Sequence, residues 1–171
     1  MIPKKGSGTI WPVLVTLTLA AILSDWNKAT AQEAVFVVQN AESNLRRTEL
    51  TDEGKRRAEA LARMLKGAGI DVIYSFDRGY LVRTAEPTKK ALNIKVNVLP
   101  IDLEAMDDLV QRLPTQHANQ RVLIVAGPKG RNYILKGLGI TDSEISTANA
   151  HNLFVIVPKE RGEPLLIKMR W

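Results

Sequence analysis

Short unbroken apolar runs alternate along this chain with longer stretches that carry apolar residues at helical spacing. Residues 34–39 form a valine-rich apolar run, which is typical of a strand buried on both faces of a sheet. Three further runs of this kind predict three more strands, at residues 70–74, 96–99 and 122–126. The pattern favours a buried, mostly parallel sheet.

The stretches between these runs predict helices. After Thr51, which is a suitable N-cap, the apolar positions recur at helical spacing and charged residues occupy the other side of the helix. Residues 81–92 predict a second helix, with Pro87 as its weak point because an internal proline loses a backbone hydrogen bond. Two more helices are predicted, at residues 103–113 and 132–138.

Two apolar runs close the chain, at residues 152–157 and 164–169, and the polar segment between them predicts an antiparallel hairpin. Strands that alternate with helices indicate an α/β domain. We therefore expect a three-layer sandwich with a mostly parallel central sheet that ends in this hairpin.

The first residues form a pattern of a different kind. Lys4 and Lys5 precede an apolar run at residues 10–23, and the small residues Ala29-Thr30-Ala31 follow it, which predicts a secretory signal peptide over residues 1–31. The mature domain would then cover residues 32–171, outside the cytoplasm, in the periplasm or secreted. The alternative is an uncleaved membrane anchor, although the run is shorter than the roughly 20 residues of a spanning helix.

Composition narrows the function classes. Cleavage after residue 31 would remove three lysines and one aspartate, which lowers the net charge from +6 to +4. A mildly basic chain without a basic cluster does not indicate a nucleic-acid-binding protein. The sequence has no cysteine, which excludes disulfides and a thiolate nucleophile. Nothing in the sequence indicates a metal site or a cofactor.

Ligands of open α/β sheets bind at the carboxyl ends of the strands, so the expected site lies where residues 34–39 and 122–126 end. Several short segments there and nearby resemble, in order and spacing, the histidine phosphatase (phosphoglycerate mutase-like) superfamily. They are Gln39-Asn40-Ala41-Glu42, Leu50-Thr51-Asp52-Glu53-Gly54, Ile73-Tyr74-Ser75, Thr84-Ala85-Glu86-Pro87, Val122 to Val125 and Leu138-Gly139. The resemblance extends from Val35 to about Val157.

The resemblance implies phosphoryl-transfer chemistry, for which this chain lacks the side chains. In the superfamily one histidine attacks phosphorus, two arginines hold the phosphoryl oxygens, a second histidine stabilises them and an acid protonates the leaving oxygen. Asn40 stands at the nucleophile position, Gln39 and Tyr80 at the two arginine positions, and Gly127 at the second histidine position. An amide nitrogen has no free lone pair, so Asn40 cannot form a phosphoenzyme.

These four residues have two interpretations. They could be structural, capping strand and helix ends, or they could line a pocket that has been reshaped for another ligand. Five basic residues near the motifs could hold an anion there or be solvated surface charges. They are Arg46, which Arg47 follows, together with Arg78, Arg83, Lys129 and Arg131.

The two histidines, His117 and His151, lie in polar stretches and are expected to be solvated.

The leading hypothesis is therefore an exported, catalytically inactive protein, a pseudoenzyme, that binds a phosphorylated small molecule or another anion, or regulates an envelope protein. The alternative is an active phosphoric monoester hydrolase that uses substitute residues. A third possibility is a scaffold recognised through an exposed surface patch.

Overall fold

The computed structural model describes residues 33–140, residue 145, residues 150–159 and residues 161–171. The predicted signal peptide and its cleavage site lie outside the described residues. Six strands and four helices are described. The strands are β1 (Ala34–Gln39), β2 (Val72–Phe76), β3 (Val96–Leu99), β4 (Arg121–Ala126), β5 (Asn152–Val157) and β6 (Leu165–Arg170), and the helices are α1 (Asp52–Leu65), α2 (Gly79–Leu92), α3 (Leu103–Gln116) and α4 (Pro128–Gly137).

The strands form one mixed sheet in the order β3-β2-β4-β1-β5-β6. The first four strands in this order are parallel, while β5 is antiparallel to β1 and β6 is antiparallel to β5. At the centre, Val38 of β1 lies opposite Val125 of β4 and Leu153 of β5. The predicted fold class is confirmed, including the antiparallel hairpin at the end of the chain.

Two apolar clusters cover the two faces of the sheet. Val37 of β1 packs in a cluster that includes Leu109 of α3 and Ile134 of α4. Val38, which points to the other face, packs in a cluster that includes Leu61 of α1. Each such side chain contributes about 1.5 to 3 kcal/mol when it is fully buried. The three layers therefore follow from the alternation of side chains along the strands.

Helix starts depend on capping residues. Thr51 caps α1, because its hydroxyl accepts a hydrogen bond from the amide of Gly54 at 3.0 Å. Helix α4 begins at Pro128, four residues before the predicted start, because proline in the first turn needs no hydrogen-bond acceptor and Gly127 is the N-cap. Helix α2 continues through Pro87, and β2 begins two residues later than predicted.

Among the described residues, no helix combines the length and apolar composition needed to cross a bilayer.

Candidate functional site

Three of the four motif positions come together at the carboxyl ends of β1 and β4. Gln39 lies opposite Ala126, so the residues that follow, Asn40 and Gly127, are neighbours at the same edge of the sheet. The amide of Asn40 donates to the carbonyl of Ala126 at 3.1 Å. Tyr80 approaches from α2, because a Cβ added to Gly127 would lie 3.8 Å from the Tyr80 hydroxyl. The fold therefore brings Asn40, Tyr80 and Gly127 to one place.

The side chain of Asn40 holds the turn that follows β1. Its Nδ2 donates to the carbonyl of Ala41 at 2.8 Å. The Oε1 atom of the preceding Gln39 is buried and has no hydrogen-bond partner among the described residues. Neither amide lines the cavity described below, which agrees with the structural interpretation of Gln39 and Asn40 and not with the reshaped pocket.

A buried threonine ties the turn after β1 to the first turn of α2. The hydroxyl of Thr84 accepts from the amide of Ala41 at 3.1 Å and donates to the carbonyl of Tyr80 at 2.7 Å. Thr84 is fully buried, so both hydrogen bonds are shielded from water. This bridge fixes the orientation of Tyr80 relative to the end of β1.

A cavity of about 550 Å³ opens beside Tyr80 and Gly127. Its wall is mostly apolar and aromatic, and two cations, Arg47 and Lys129, also line it. The remaining lining residues are Ile101, Asp102, Leu103, Met106, Pro128, Gly130 and Tyr133. A volume of this size lies within the range of about 300 to 1,000 Å³ that small-molecule sites have.

The wall of this cavity is held by contacts between α3 and α4. The Tyr133 hydroxyl donates to Oδ1 of Asp107 at 2.7 Å, and this hydrogen bond to the carboxylate raises the pKa of Tyr133. A Cβ on Gly130 would lie 3.0 Å from the terminal methyl of Met106, so this glycine lets the two helices approach closely. The apolar wall is thus a packed part of the fold.

Only one of the five predicted anion-binding residues, Lys129, lines the cavity. Arg83 lies in α2 and pairs with Glu49 at 2.6 Å, and it lines a separate cavity of about 640 Å³ near α1. Arg78 is exposed and donates to the carbonyl of Asp77 at 3.0 Å. Arg46 is exposed and lies outside the cavity. These three arginines therefore do not join Lys129 in one pocket, and Arg46 and Arg78 match the alternative of solvated surface charges.

Arg131 is a buried residue. It is therefore neither a solvated surface charge nor part of an anion site at the surface. Its side chain is completely buried, its Nε and Nη2 donate to Oδ1 of Asn132 at 3.0 and 2.8 Å, and it lies 5.5 Å from the ring centroid of Phe154. Burial lowers the pKa of Arg131 because it disfavours the charged form. The prediction failed because the turn of α4 on which Arg131 lies faces the sheet.

Arg47 lines the cavity although the sequence pattern pointed to the adjacent Arg46. It has a positive φ of 54°, and its amide donates to the carbonyl of Asn44 at 2.9 Å in a tight turn. This turn brings Arg47, and not the adjacent Arg46, to the cavity. The pair Arg46-Arg47 was the only indication in the sequence of a cation at this place. The turn decides which of the two arginines lines the cavity.

The acidic residue of the first motif, Glu42, has structural contacts. Its carboxylate contacts Nη1 of Arg57, and the Arg57 guanidinium lies 4.3 Å from the ring centroid of Trp171. Its backbone carbonyl accepts a hydrogen bond from the amide of Thr51 at 3.0 Å. Glu42 therefore joins the loop after β1 to α1 and to the residue that follows β6.

The two histidines have different environments. His117 is buried, which contradicts the prediction of a solvated loop residue, because its ring lies 2.9 Å from the Tyr74 hydroxyl and 2.8 Å from the Gln120 side chain. It lies near the amino end of β4, at the edge of the sheet opposite to the site. His151 is exposed, as predicted. It immediately precedes β5, and the β1–β5 register, continued by two residues, would set it opposite Asn40.

Within the described part of the chain, no group of three or more His, Asp or Glu side chains is placed to hold a metal ion.

A comparison with protein-family models gives one match, in the first half of the described fold. Residues 37–104 match the histidine phosphatase superfamily (branch 1). The matched segment includes Gln39, Asn40 and Tyr80, and it ends before Gly127. A comparison with curated proteins gives no match to this sequence.

Solved structures with the same fold extend over almost the whole described domain. The phosphoserine phosphatase of Entamoeba histolytica, solved with 3-phosphoglyceric acid, is 16% identical with a TM-score of 0.60, covering 81% of this chain and 96% of its own. SixA of Agrobacterium tumefaciens, assigned as a phosphohistidine phosphatase, is 17% identical with a TM-score of 0.61, covering 81% and 97%. A phosphoglycerate mutase of Plasmodium falciparum is 15% identical with a TM-score of 0.57, covering 80% and 89%. At these identities the likeness establishes the fold.

Proposed function

We propose that this chain, which belongs to the histidine phosphatase superfamily, is an exported binding or regulatory protein that has lost phosphoryl transfer and recognises an anion. The observation that carries the proposal is that Asn40 and Gly127 are neighbours at the ends of β1 and β4, the positions to which the resemblance assigns the superfamily's two histidines. Its relatives include proteins that bind or act on phosphorylated small molecules, and a phosphorylated small molecule is the class of anion that we propose.

The loss of catalysis follows from the chemistry of these two residues. A nucleophile must present a free lone pair to phosphorus, and the amide nitrogen of Asn40 has none and is already donating to the carbonyl of Ala41. Gly127 has no side chain, and the Tyr80 hydroxyl occupies the space next to it. Neither residue can replace imidazole.

Recognition of an anion is supported by the charges that remain. Lys129 lies in the first turn of α4, where the helix dipole and the unpaired amides favour negative charge, and Arg47 lines the same cavity. Each such contribution is about 0.3 to 1 kcal/mol, so the site would hold inorganic phosphate only weakly and would release it as salt is added.

Export remains part of the proposal through the signal-peptide pattern of residues 1–31. An inactive, anion-binding domain of the envelope would act by changing its contacts with an envelope protein when the anion is bound. N-terminal sequencing of the protein isolated from producing cells tests this part. A first residue near Gln32 in the exported fraction supports it, and an intact Met1 in the cytoplasm contradicts it.

A second candidate function is an active phosphatase in which His151 replaces the missing nucleophile. It is favoured by one observation, the exposed position of His151 immediately before β5, which is the antiparallel neighbour of β1. The two candidates differ in whether a phosphate ester is hydrolysed at all.

Hydrolysis of para-nitrophenyl phosphate by the purified protein decides between them. We expect background rates for the unmodified protein and for the variants Asn40→Ala, Asn40→His and His151→Ala. A single restored histidine is not expected to be sufficient, because catalytic groups act as a unit and Gln39 and Gly127 are unchanged. Turnover by the unmodified protein that is lost in His151→Ala would establish the second candidate. Turnover that is lost in Asn40→Ala would refute the proposed inactivity.

A further inference from the structure

The Tyr80 ring is buried, and its hydroxyl, which has no hydrogen-bond partner among the described residues, is accessible from the cavity. Only 6% of Tyr80 is exposed, yet the residue lines the cavity beside Gly127. A hydroxyl at the wall of a cavity can donate a hydrogen bond to water or to a bound ligand. The hydroxyl points to the place next to Gly127 where no side chain is present.

The wall around this hydroxyl does not suit a strongly hydrated ligand. Ile101, Leu103, Met106 and Pro128 give the cavity an extended apolar surface, and the ring of Tyr133 adds an aromatic one. A sugar phosphate would lose the hydration of its hydroxyl groups against this wall without gaining hydrogen bonds. An apolar or aromatic group would instead gain contact area there.

The charged residues of the cavity favour a negative ligand. Lys129 and Arg47 carry the two positive charges, and the one carboxylate among the lining residues, Asp102, already accepts a hydrogen bond from the amide of Ala105 at 2.8 Å as the N-cap of α3. A volume of about 550 Å³ is far larger than an inorganic phosphate requires. The ligand must therefore have a body as well as a charged group.

We propose that the cavity binds an anion with an apolar or aromatic body, and that the Tyr80 hydroxyl donates a hydrogen bond to its charged group. The body lies against Leu103, Met106 and Tyr133, and Lys129 and Arg47 pair with the charge. This inference rests on the proposed function, an anion site without turnover, and it specifies the ligand class.

A titration with four probes tests the ligand class. The probes are 1-naphthyl phosphate, inorganic phosphate, glucose 6-phosphate and uncharged 1-naphthol, and binding is followed by calorimetry and by the amide NMR signals of Gly127, Lys129 and Gly130. We expect 1-naphthyl phosphate to bind at least tenfold more tightly than each of the other three. Equal affinities for 1-naphthyl phosphate and inorganic phosphate, or the absence of binding, would overturn the inference.

Variants separate the contributions of the positive charge, the apolar wall and the Tyr80 hydroxyl to binding. The first two have matched control variants. Lys129→Gln should weaken the binding of 1-naphthyl phosphate and of inorganic phosphate. Lys136→Gln, at the exposed far end of α4, should leave the binding of both unchanged. Leu103→Gln should weaken 1-naphthyl phosphate severalfold and leave inorganic phosphate unchanged, whereas Leu45→Gln, a fully exposed residue outside the cavity, should change neither. If Leu103→Gln has no effect, the body of the ligand does not lie on this wall.

The role of Tyr80 has its own test. Tyr80→Phe keeps the ring and removes the hydroxyl, so we expect a loss of five- to tenfold in affinity for 1-naphthyl phosphate without a lower melting temperature. Unchanged affinity in a folded Tyr80→Phe protein would exclude the hydrogen bond. Because 1-naphthol is fluorescent, the same probe reports turnover. Release of 1-naphthol would refute the proposed inactivity, while the order of affinities would still decide the ligand class.

Discussion

Gly54 is the residue at which the structure permits the most definite prediction. It lies in the first turn of α1 against the loop after β1, and a Cβ added to it would lie 2.0 Å from the carbonyl oxygen of Glu42. The neighbouring backbone carbon and nitrogen of Glu42 would lie at 3.0 and 3.1 Å. Because all three atoms belong to the backbone, no change of side-chain rotamer can relieve the overlap. In Gly54→Ala the start of α1 must move away from the loop.

The expected loss of stability is the sum of three terms. The overlap should cost about 3 kcal/mol, the upper part of the usual range for overpacked sites. Separation of the helix from the loop also breaks the hydrogen bond from the Thr51 amide to the Glu42 carbonyl, 3.0 Å long, which contributes about 1 kcal/mol. Alanine is a better helix former than glycine by about 1 kcal/mol. The net destabilisation is therefore about 3 kcal/mol.

Urea denaturation followed by circular dichroism measures this loss. With a slope of about 2 kcal/mol per molar urea, the midpoint of Gly54→Ala should fall by about 1.5 M. Gly67→Ala is the matched control, because a Cβ there meets no atom within 4 Å and the residue has no positive φ. It should be unchanged or more stable by about 0.4 to 1 kcal/mol. Equal midpoints for the two variants would show that α1 does not hold the loop after β1.

Three further predictions concern single hydrogen bonds. Pro87→Ala should stabilise the protein by about 1 to 3 kcal/mol in the same urea assay, because proline supplies no N–H to the carbonyl four residues earlier. An unchanged midpoint would show that this carbonyl has another hydrogen-bond donor. Tyr74→Phe should cost about 1 to 3 kcal/mol by leaving a buried nitrogen of His117 without a partner, and an unchanged midpoint would contradict that hydrogen bond. The hydrogen bond to Asp107 raises the pKa of Tyr133 in the folded state. The stabilisation that this hydrogen bond gives to the folded protein is therefore complete below the pKa of an unfolded tyrosine, about 10. It is lost as the pH rises through the pKa of Tyr133 in the folded state. Between pH 9 and 11 the unmodified protein should therefore lose stability faster than Tyr133→Phe, and parallel profiles would refute this linkage.

The residues that the sequence placed correctly are those whose role is local. The valine-rich run of β1 predicts a strand because alternate side chains of a strand point to opposite faces, and both faces are apolar here. Thr51 predicts the start of α1 because a capping hydroxyl bonds an amide only three residues away. The end of β1 and the end of β4 were expected to meet because parallel strands share an edge. Asn40 and Gly127 do meet there.

The cavity itself could not be predicted from these local patterns. Arg47 lines it and Arg46 does not, because a turn with positive φ decides which of two adjacent side chains points to the cavity. Arg131 and Arg83 carry the same charge and lie near the same motifs in sequence, but one is buried against Phe154 and the other pairs with Glu49. A side chain's charge is a property of its residue, whereas its partner depends on which elements pack beside it.

Residue identity and short-range periodicity were sufficient to predict the order of strands and helices, the superfamily resemblance and the absence of imidazole from the two motif positions. The sheet order β3-β2-β4-β1-β5-β6, the burial of His117 and the composition of the cavity wall depend on how the elements pack in three dimensions. Ile101, Met106 and Tyr133 lie far from Tyr80 in the chain and line one cavity with it because α3 packs on α4. Contacts between residues distant in sequence are set by how helices and strands pack, and periodicity within one segment carries no information about its partner.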